Sequence, residues 1–458
     1  MSQPVQQNKM GVMPVHRLLI SMALPMIISM LVQAMYNIVD SIYVAQINEE
    51  ALSAVTVAFP IQNLMIAVGA GTGVGINALL SRSLGEGNHK EASRAANNGI
   101  FLAFLSFLAF LIFGLLATPF YVSTQTDNPV VADYATQYLQ LCCGLSFGIF
   151  GQFVFERLLQ ATGKTFYTMI TQGVGAVINI VLDPLFIFGG LGIPAMGVAG
   201  AAVATVFGQC VAMLMAILFN LRVNKEIHLS LRGFRPNGRT IRKIYAVGVP
   251  SVIMGSIASV MTFFFNIILR SMGPLGADSG IPVFGTYFKL QSFIFMPVFG
   301  LNNGMVPIVA FNYGAKKPDR IMKTIRISIT YAMSIMLVGL LIFQLVPELL
   351  LTPFNLTAQT TAVAVPALRT ISWSFVFAGF CIIITSVFQA LSHGVLSLIV
   401  SVGRQLVVLV PVAYLLSLSG QINAVWWSFP IAELASLTLC IVFFIHLYRK
   451  EIRPLGTE

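Results

Sequence analysis

Apolar residues dominate twelve stretches of the chain. Six lie near positions 18–43, 54–80, 95–117, 131–155, 165–189 and 196–221, and six near 243–269, 282–310, 324–346, 362–388, 395–416 and 423–447. Each meets the roughly 20 residues a helix needs to cross the hydrocarbon core of a bilayer. Twelve membrane-spanning helices are therefore predicted, an even number that leaves both termini on one side. The first run follows Lys9, His16 and Arg17 and continues past Pro25 to Asp40 without a convincing cleavage site, so it reads as a retained span and not a signal peptide.

The one extended polar stretch, residues 222–242, falls at the midpoint and holds Arg232, Arg235, Pro236, Asn237, Gly238 and Arg239. It predicts a linker between an N-lobe, 1–221, and a C-lobe, 243–458. The halves repeat. An offset of 229 residues places Phe59, Gln62, Gly71, Gly75 and Gly85 on Phe288, Gln291, Gly300, Gly304 and Gly314, and Gln160-Ala161 on Gln389-Ala390. Six spans per half give both halves the same orientation, so a pseudo-twofold axis along the membrane normal is expected. The predicted fold class is all-α integral membrane, two six-helix bundles around a central cleft.

Composition agrees: 57% of the 458 residues are hydrophobic and 9% charged, against about a quarter charged in a soluble domain. The net charge of +10 would suggest nucleic acid in a soluble protein. Here its distribution sets topology instead. Lys9 and Arg17; Arg82, Lys90 and Arg94; Arg157 and Lys164; Arg222 to Lys243; Lys316 to Arg326; and Arg449, Lys450 and Arg453 fall in alternate segments. The intervening loops hold Glu49, Glu50, Asp127, Asp278 and Glu348, with Arg270 as their nearby basic residue. Both termini and the linker are thus expected in the cytoplasm. The five cysteines, Cys142, Cys143, Cys210, Cys381 and Cys440, lie in apolar runs without metal-site spacing, as inert core residues do.

Ionisable groups inside spans are costly, about 2.5 kcal/mol each or more, and so are informative. Gln33, Tyr36, Asn37 and Asp40 share one face of helix 1. The stripe either glues helices by hydrogen bonds or presents a carboxyl that takes up and releases a proton; an amide would glue at lower cost, which favours the proton. On helix 5, Asn179 and Asp183 precede Pro184, which kinks the helix and frees a carbonyl. Asp183 either satisfies that break or forms a proton or cation site. If Asp40 and Asp183 are neighbours, mutual repulsion keeps one protonated. The repeat places Leu269 opposite Asp40 and Val412 opposite Asp183. In the C-lobe, Lys289 lines the cleft near the repeat-matched Gln291 or pairs with a distant acid, Arg404 pairs with Glu433, and Arg369 snorkels outward. Gly163-Lys164-Thr165 lacks the glycine at 158 that a phosphate-binding loop requires, since Leu158 stands there. Gly71 and Gly75 are spaced for close helix contact.

Taken together, Tyr36-Asn37-Ile38-Val39-Asp40, Gly85-Glu86-Gly87, Gln160-Ala161-Thr162-Gly163 and Asn179-Ile180-Val181-Leu182-Asp183-Pro184 resemble the multidrug and toxic compound extrusion (MATE) family, in particular its DinF-like and MepA-like bacterial members. The resemblance covers essentially the whole chain. It implies two six-helix lobes, alternating access and export of amphipathic, often cationic drugs in exchange for H⁺ or Na⁺. It further implies an ion-coupling role for Asp40, Asn179 and Asp183, with Gln33, Tyr36, Asn37, Lys289 and Gln291 as cleft-lining candidates. Family members with a C-lobe Na⁺ site carry acids on helices 7 and 10, and this chain has none there, which favours protons. The expected partners are drug-like small molecules and membrane lipids, for a monomer in a bacterial inner membrane, with no cofactor, metal or nucleic acid. A lipid-linked saccharide flippase would need a strongly cationic cleft, and a channel or receptor would not need buried acids. No nucleophile and base arrangement suggests an enzyme.

Overall fold

The computed structural model describes residues 8–230 and 232–456, and these form helices joined by short connections. Ten helices are long and apolar enough to span a bilayer, and two bent pairs bring the spans to twelve. In chain order, α1 is Val15–Ala45, α2 Glu49–Gly85, α3 His89–Gln125, α4 the pair Pro129–Gly144 and Phe147–Ala161, α5 Thr165–Phe188 and α6 Val198–Arg222. The second set is α7 Gly238–Ser271, α8 Gly276–Gly314, α9 Pro318–Leu345, α10 the pair Ala358–Ser372 and Phe375–Ala390, α11 Gly394–Ser417 and α12 Ile422–Gly456. The bends, 44° in α4 and 49° in α10, fall in corresponding helices of the two halves.

Asparagine side chains cap several of the helix starts. Asn48, Asn88 and Asn237 accept hydrogen bonds from the backbone N–H of Ala51, Glu91 and Thr240, satisfying donors that a first helical turn leaves open. The cap at Asn237 starts α7 at Gly238, ahead of the apolar run near 243. Its first turn is polar and lies outside the bilayer pattern. The linker before it is strapped to α3: the N–H groups of His228, Ser230 and Asn237 donate to Ser93 Oγ (3.0 Å), Asn97 Oδ1 (3.1 Å) and Asn98 Oδ1 (2.9 Å).

The repeat-matched glycines form the contact between lobes. In α2, a Cβ at Gly71 would lie 2.7 Å from Val252 N and one at Gly75 would collide with Ile244 O, so α2 packs backbone to backbone on α7. Their partners in α8, Gly300 and Gly304, meet Ile27 and Ala23 of α1, with a Cβ at Gly304 2.6 Å from Ala23 Cα. Gly85 and Gly314 abut each other's helix ends at Phe311 O and Arg82 O. The pairing of α2 with α7 and of α8 with α1 is what a pseudo-twofold axis requires. Arg157 Nη1 donates across this contact to Asn303 Oδ1 at 3.2 Å, and the Arg82 guanidinium lies 4.8 Å from the Tyr313 ring. Three turns along the same helix faces, Ile38, Leu64 and Lys289 are exposed. The lobes therefore pack tightly at the end bearing the basic loops and diverge at the other.

A short helix, Lys9–Val12, closes the packed end. Asn8 Nδ2 donates to Thr162 O of the N-lobe at 3.3 Å and to Glu226 Oε2 of the linker at 2.6 Å. From the C-lobe, Asn312 Nδ2 and Arg320 Nη2 donate to Met10 O at 3.1 and 3.0 Å, and Lys317 Nζ to Gly11 O at 2.9 Å. Burial, and secondarily the Lys164 charge, lower the Lys9 ammonium below its ordinary range, while Glu226 opposes them.

Candidate functional site

Helices α1 and α5 bring the Asp40 and Asp183 side chains together, and one buried carboxyl oxygen of each, Oδ1, has no hydrogen-bond partner among the described residues. Asp183 is fully buried and Asp40 partly so. Asn179, one turn before Asp183, is oriented so that its amide donates to Asp183 Oδ2 at 3.2 Å and accepts from Thr205 N and Oγ1 at 3.1 and 3.2 Å. Pro184 stands inside α5 immediately after the acid. Two carboxylates only accept hydrogen bonds, so neither can satisfy the other unless one carries a proton.

Gln33 and Tyr36, on the α1 face that carries Asp40, and Asn179 line a cavity of about 100 Å³ inside the N-lobe. Asn37 is exposed and outside this lining, because the helix turns it past the cavity edge. The floor holds a residue the apolar pattern missed, Glu156. Its Oε1 accepts from Gln152 Nε2 at 3.0 Å and Thr171 Oγ1 at 2.8 Å, and its Oε2 from Gln172 Nε2 at 2.7 Å. The expected helix 4 ended at Phe155 and left Arg157 in a basic loop. In the structure α4 continues to Ala161, which draws Glu156 inside and places Arg157 at the lobe interface, with a second bond to Gln160 Oε1 at 2.8 Å. The available signal was the spacing of Gln152 and Glu156, i and i+4, opposite Thr171-Gln172.

The C-lobe candidates separate. Gln291 lines a cavity of about 510 Å³, whereas Lys289 is exposed on the α8 face three turns from Gly300, where the cleft opens. Arg404 and Glu433 pair across α11 and α12 at 3.2 Å on the wall of the same cavity. Arg369 is exposed and lies 3.8 Å from Glu348. The five cysteines are free thiols.

With this geometry in view, comparison with known proteins places the chain. A family model, MatE, matches residues 25–185 and 250–415, one segment in each lobe. A multidrug export protein MepA of Staphylococcus haemolyticus is 26% identical over 94% of this chain and 93% of its own length. An FAD transporter of Shewanella oneidensis is 24% identical over 93% and 94%. A crystal structure of a MATE protein in complex with MaL6 superposes with a TM-score of 0.89 at 25% identity, covering 99% of this chain and 100% of that one. The outward-facing structure of a multidrug resistance MATE family transporter of the MOP superfamily gives a TM-score of 0.89 at 24% identity with both chains fully covered, a likeness of fold.

Proposed function

The chain belongs to the MatE family, as a multi-pass membrane protein, and we propose that it is a secondary active exporter of amphipathic, often cationic compounds driven by proton antiport. The observation that carries this reading is the juxtaposition of the buried Asp40 and Asp183 carboxyls, each with an oxygen unpartnered among the described residues, beside a cavity lined by residues of the same two helices. Loss of a proton held by the pair leaves two like charges in a site with little water, and an incoming cation or proton relieves that repulsion. Substrate and proton thereby compete for the same acids. Protonation frees the α1 stripe to repack and shifts the balance between outward and inward states. The relatives named as multidrug export proteins support drug-like cargo.

Orientation follows from the positive loops: with the basic ends and both termini in the cytoplasm of a bacterial inner membrane, the closed end faces the cytoplasm and the cleft opens outward. Each chain contains both lobes and the cleft, so a monomer suffices. Magnitudes constrain the stoichiometry. A proton entering down ~100 mV supplies about 2.3 kcal/mol, but exchange for a monovalent cation moves no net charge and leaves about 1.4 kcal/mol per pH unit. Export of a monocation against a gradient therefore calls for more than one proton per cycle, and two acids can carry them.

A flippase for a lipid-linked saccharide finds less support, because Glu433 neutralises Arg404 and leaves Lys289 as the cleft cation. A channel would need both ends open. The test is efflux of a fluorescent cation from inverted vesicles, with ΔpH collapsed and Na⁺ removed in separate arms. Collapse of ΔpH is expected to stop export and Na⁺ removal to leave it intact. Asp40→Asn is expected to abolish export in folded protein, and a variant exporting at the wild-type rate under an imposed pH gradient would sink the assignment.

A further inference from the structure

The N-lobe cavity, about 100 Å³, admits a small group, whereas the C-lobe cavity, about 510 Å³, falls within the roughly 300–1,000 Å³ typical of sites for drug-sized ligands. Tyr287, Phe288 and Phe429 give its wall aromatic surface, and Gln291 and Gln405 add amides. Two acceptor oxygens on this wall, Glu433 Oε1 and Asn302 Oδ1, have no hydrogen-bond partner among the described residues. Glu433 is 4% exposed, and its other oxygen is held by Arg404 at 3.2 Å. Buried acceptors without donors are unfavourable, and terminal carboxyl and amide torsions are soft enough to turn toward a ligand.

We propose that the C-lobe cavity is a second ligand site, which takes uncharged aromatic molecules carrying N–H donors, with Glu433 and Asn302 as the acceptors. Charge selects against cations here. Arg404 already compensates Glu433, so a cation would meet repulsion from the guanidinium at nearly the distance of its attraction to the carboxylate. An N–H dipole keeps its full hydrogen bond. The two lobes thus divide the chemistry: ions at the N-lobe acids, neutral hydrogen-bonding aromatics in the C-lobe. The inference does not depend on proton coupling.

The test is fluorescence titration of the full chain in nanodiscs with lumichrome, an uncharged aromatic with two N–H donors, and with 1,3-dimethyllumichrome, which has none. Saturable one-to-one binding of lumichrome is expected, with the dimethyl compound weaker by roughly tenfold or more. Two variants should lose lumichrome affinity to a similar degree. Ala258→Phe fills the cavity from a residue on its wall, and the double change Arg404→Met with Glu433→Met removes the acceptor without leaving a lone charge. Asp40→Asn should bind lumichrome as the wild type does. The proposal is overturned if lumichrome fails to saturate the wild type, if the dimethyl compound binds equally, if Ala258→Phe or the double variant retains wild-type affinity, or if Asp40→Asn removes binding. Persistence of proton-driven efflux in Asp40→Asn would defeat the antiport reading and leave these outcomes unaffected.

Discussion

In the N-lobe, Asp40 and Asp183 lie together, each with an oxygen unpartnered among the described residues, and Glu156 accepts from three side chains; at the C-lobe positions matched to the two aspartates stand Leu269 and Val412, and the buried acid Glu433 is paired with Arg404. The glycines, by contrast, act alike in both halves. Gly71 and Gly75 seat α2 on α7, as Gly300 and Gly304 seat α8 on α1. The repeat therefore supplies the scaffold and its closing surface, while a few side chains decide where charge can change. A site that must take up and release an ion needs an acid without a fixed counter-charge. The N-lobe offers that and the C-lobe does not.

The largest effect expected from this contrast is on transport. Asp183→Asn keeps the shape of the side chain but can neither bind nor release a proton, and proton-driven efflux should fall to background. The matched change Val412→Ala should leave the rate within about twofold, since its loss of side-chain volume is small. Equal rates for the two variants in vesicles under a pH gradient would break the comparison. The next effect is on stability and reverses the lobes. Glu433→Ala leaves Arg404, whose side chain is 31% exposed on the cavity wall, without its partner, which costs about 1–3 kcal/mol. Arg404→Met combined with Glu433→Met should recover most of that loss. Thermal unfolding in detergent measures both. A Glu433→Ala protein melting with the wild type would mean the pair is solvated and not structural.

The sequence carries the parts of this contrast that are local. Apolar run length reveals the spans, and the 229-residue offset reveals the repeat, because both are properties of position along one chain. Asp40 and Asp183 stand out because each interrupts an apolar helix and has amides within a turn. Glu156 was hidden for a physical reason. It follows the 44° bend of α4, so an acid at the edge of an apolar run lies inside the lobe. The C-lobe cavity is a tertiary convergence: Gln291, Gln405 and Glu433 come from α8, α11 and α12, which meet only in the fold. Lys289 and Gln291, two residues apart, do not share a site, because that spacing turns them away from each other on a helix.

A smaller effect tests the part of the comparison in which the lobes agree. A methyl group at Gly75 collides with Ile244 O, whereas one at Gly285, in the same class of apolar helix, meets nothing within 4 Å. Gly75→Ala should therefore cost the closed end about 1–3 kcal/mol, seen as longer distances between spin labels placed at Lys90 and Lys323 near the basic ends. Gly285→Ala should leave the distance distribution as it is. An unchanged distribution in Gly75→Ala would show that the backbone contact does not set the closure.

The smallest effect lies at the N-terminal strut, where Glu226 holds Lys164 at 3.3 Å and Asn8 at 2.6 Å, all partly exposed. Glu226→Gln should lower stability by no more than about 1 kcal/mol at neutral pH, the scale of solvated ion pairs. Its pH dependence has a defined sign. Lys9 is lowered by burial and by Lys164, so the unfolded chain binds more protons at this position than the folded one between the folded value and the ordinary 10.5. Stability from Lys9 therefore rises with pH across that window, as the penalty on the buried ammonium is relieved. The attraction of the Glu226 carboxylate for Lys9 lasts only while that ammonium is charged, whereas its bond to Asn8 is independent of pH in this range. The deficit of Glu226→Gln should accordingly be largest at neutral pH and shrink as the pH approaches 10, which melting curves at several pH values would detect. A deficit that stays constant with pH would mean that Glu226 acts through Asn8 alone and that the lysines are bystanders at the closed end.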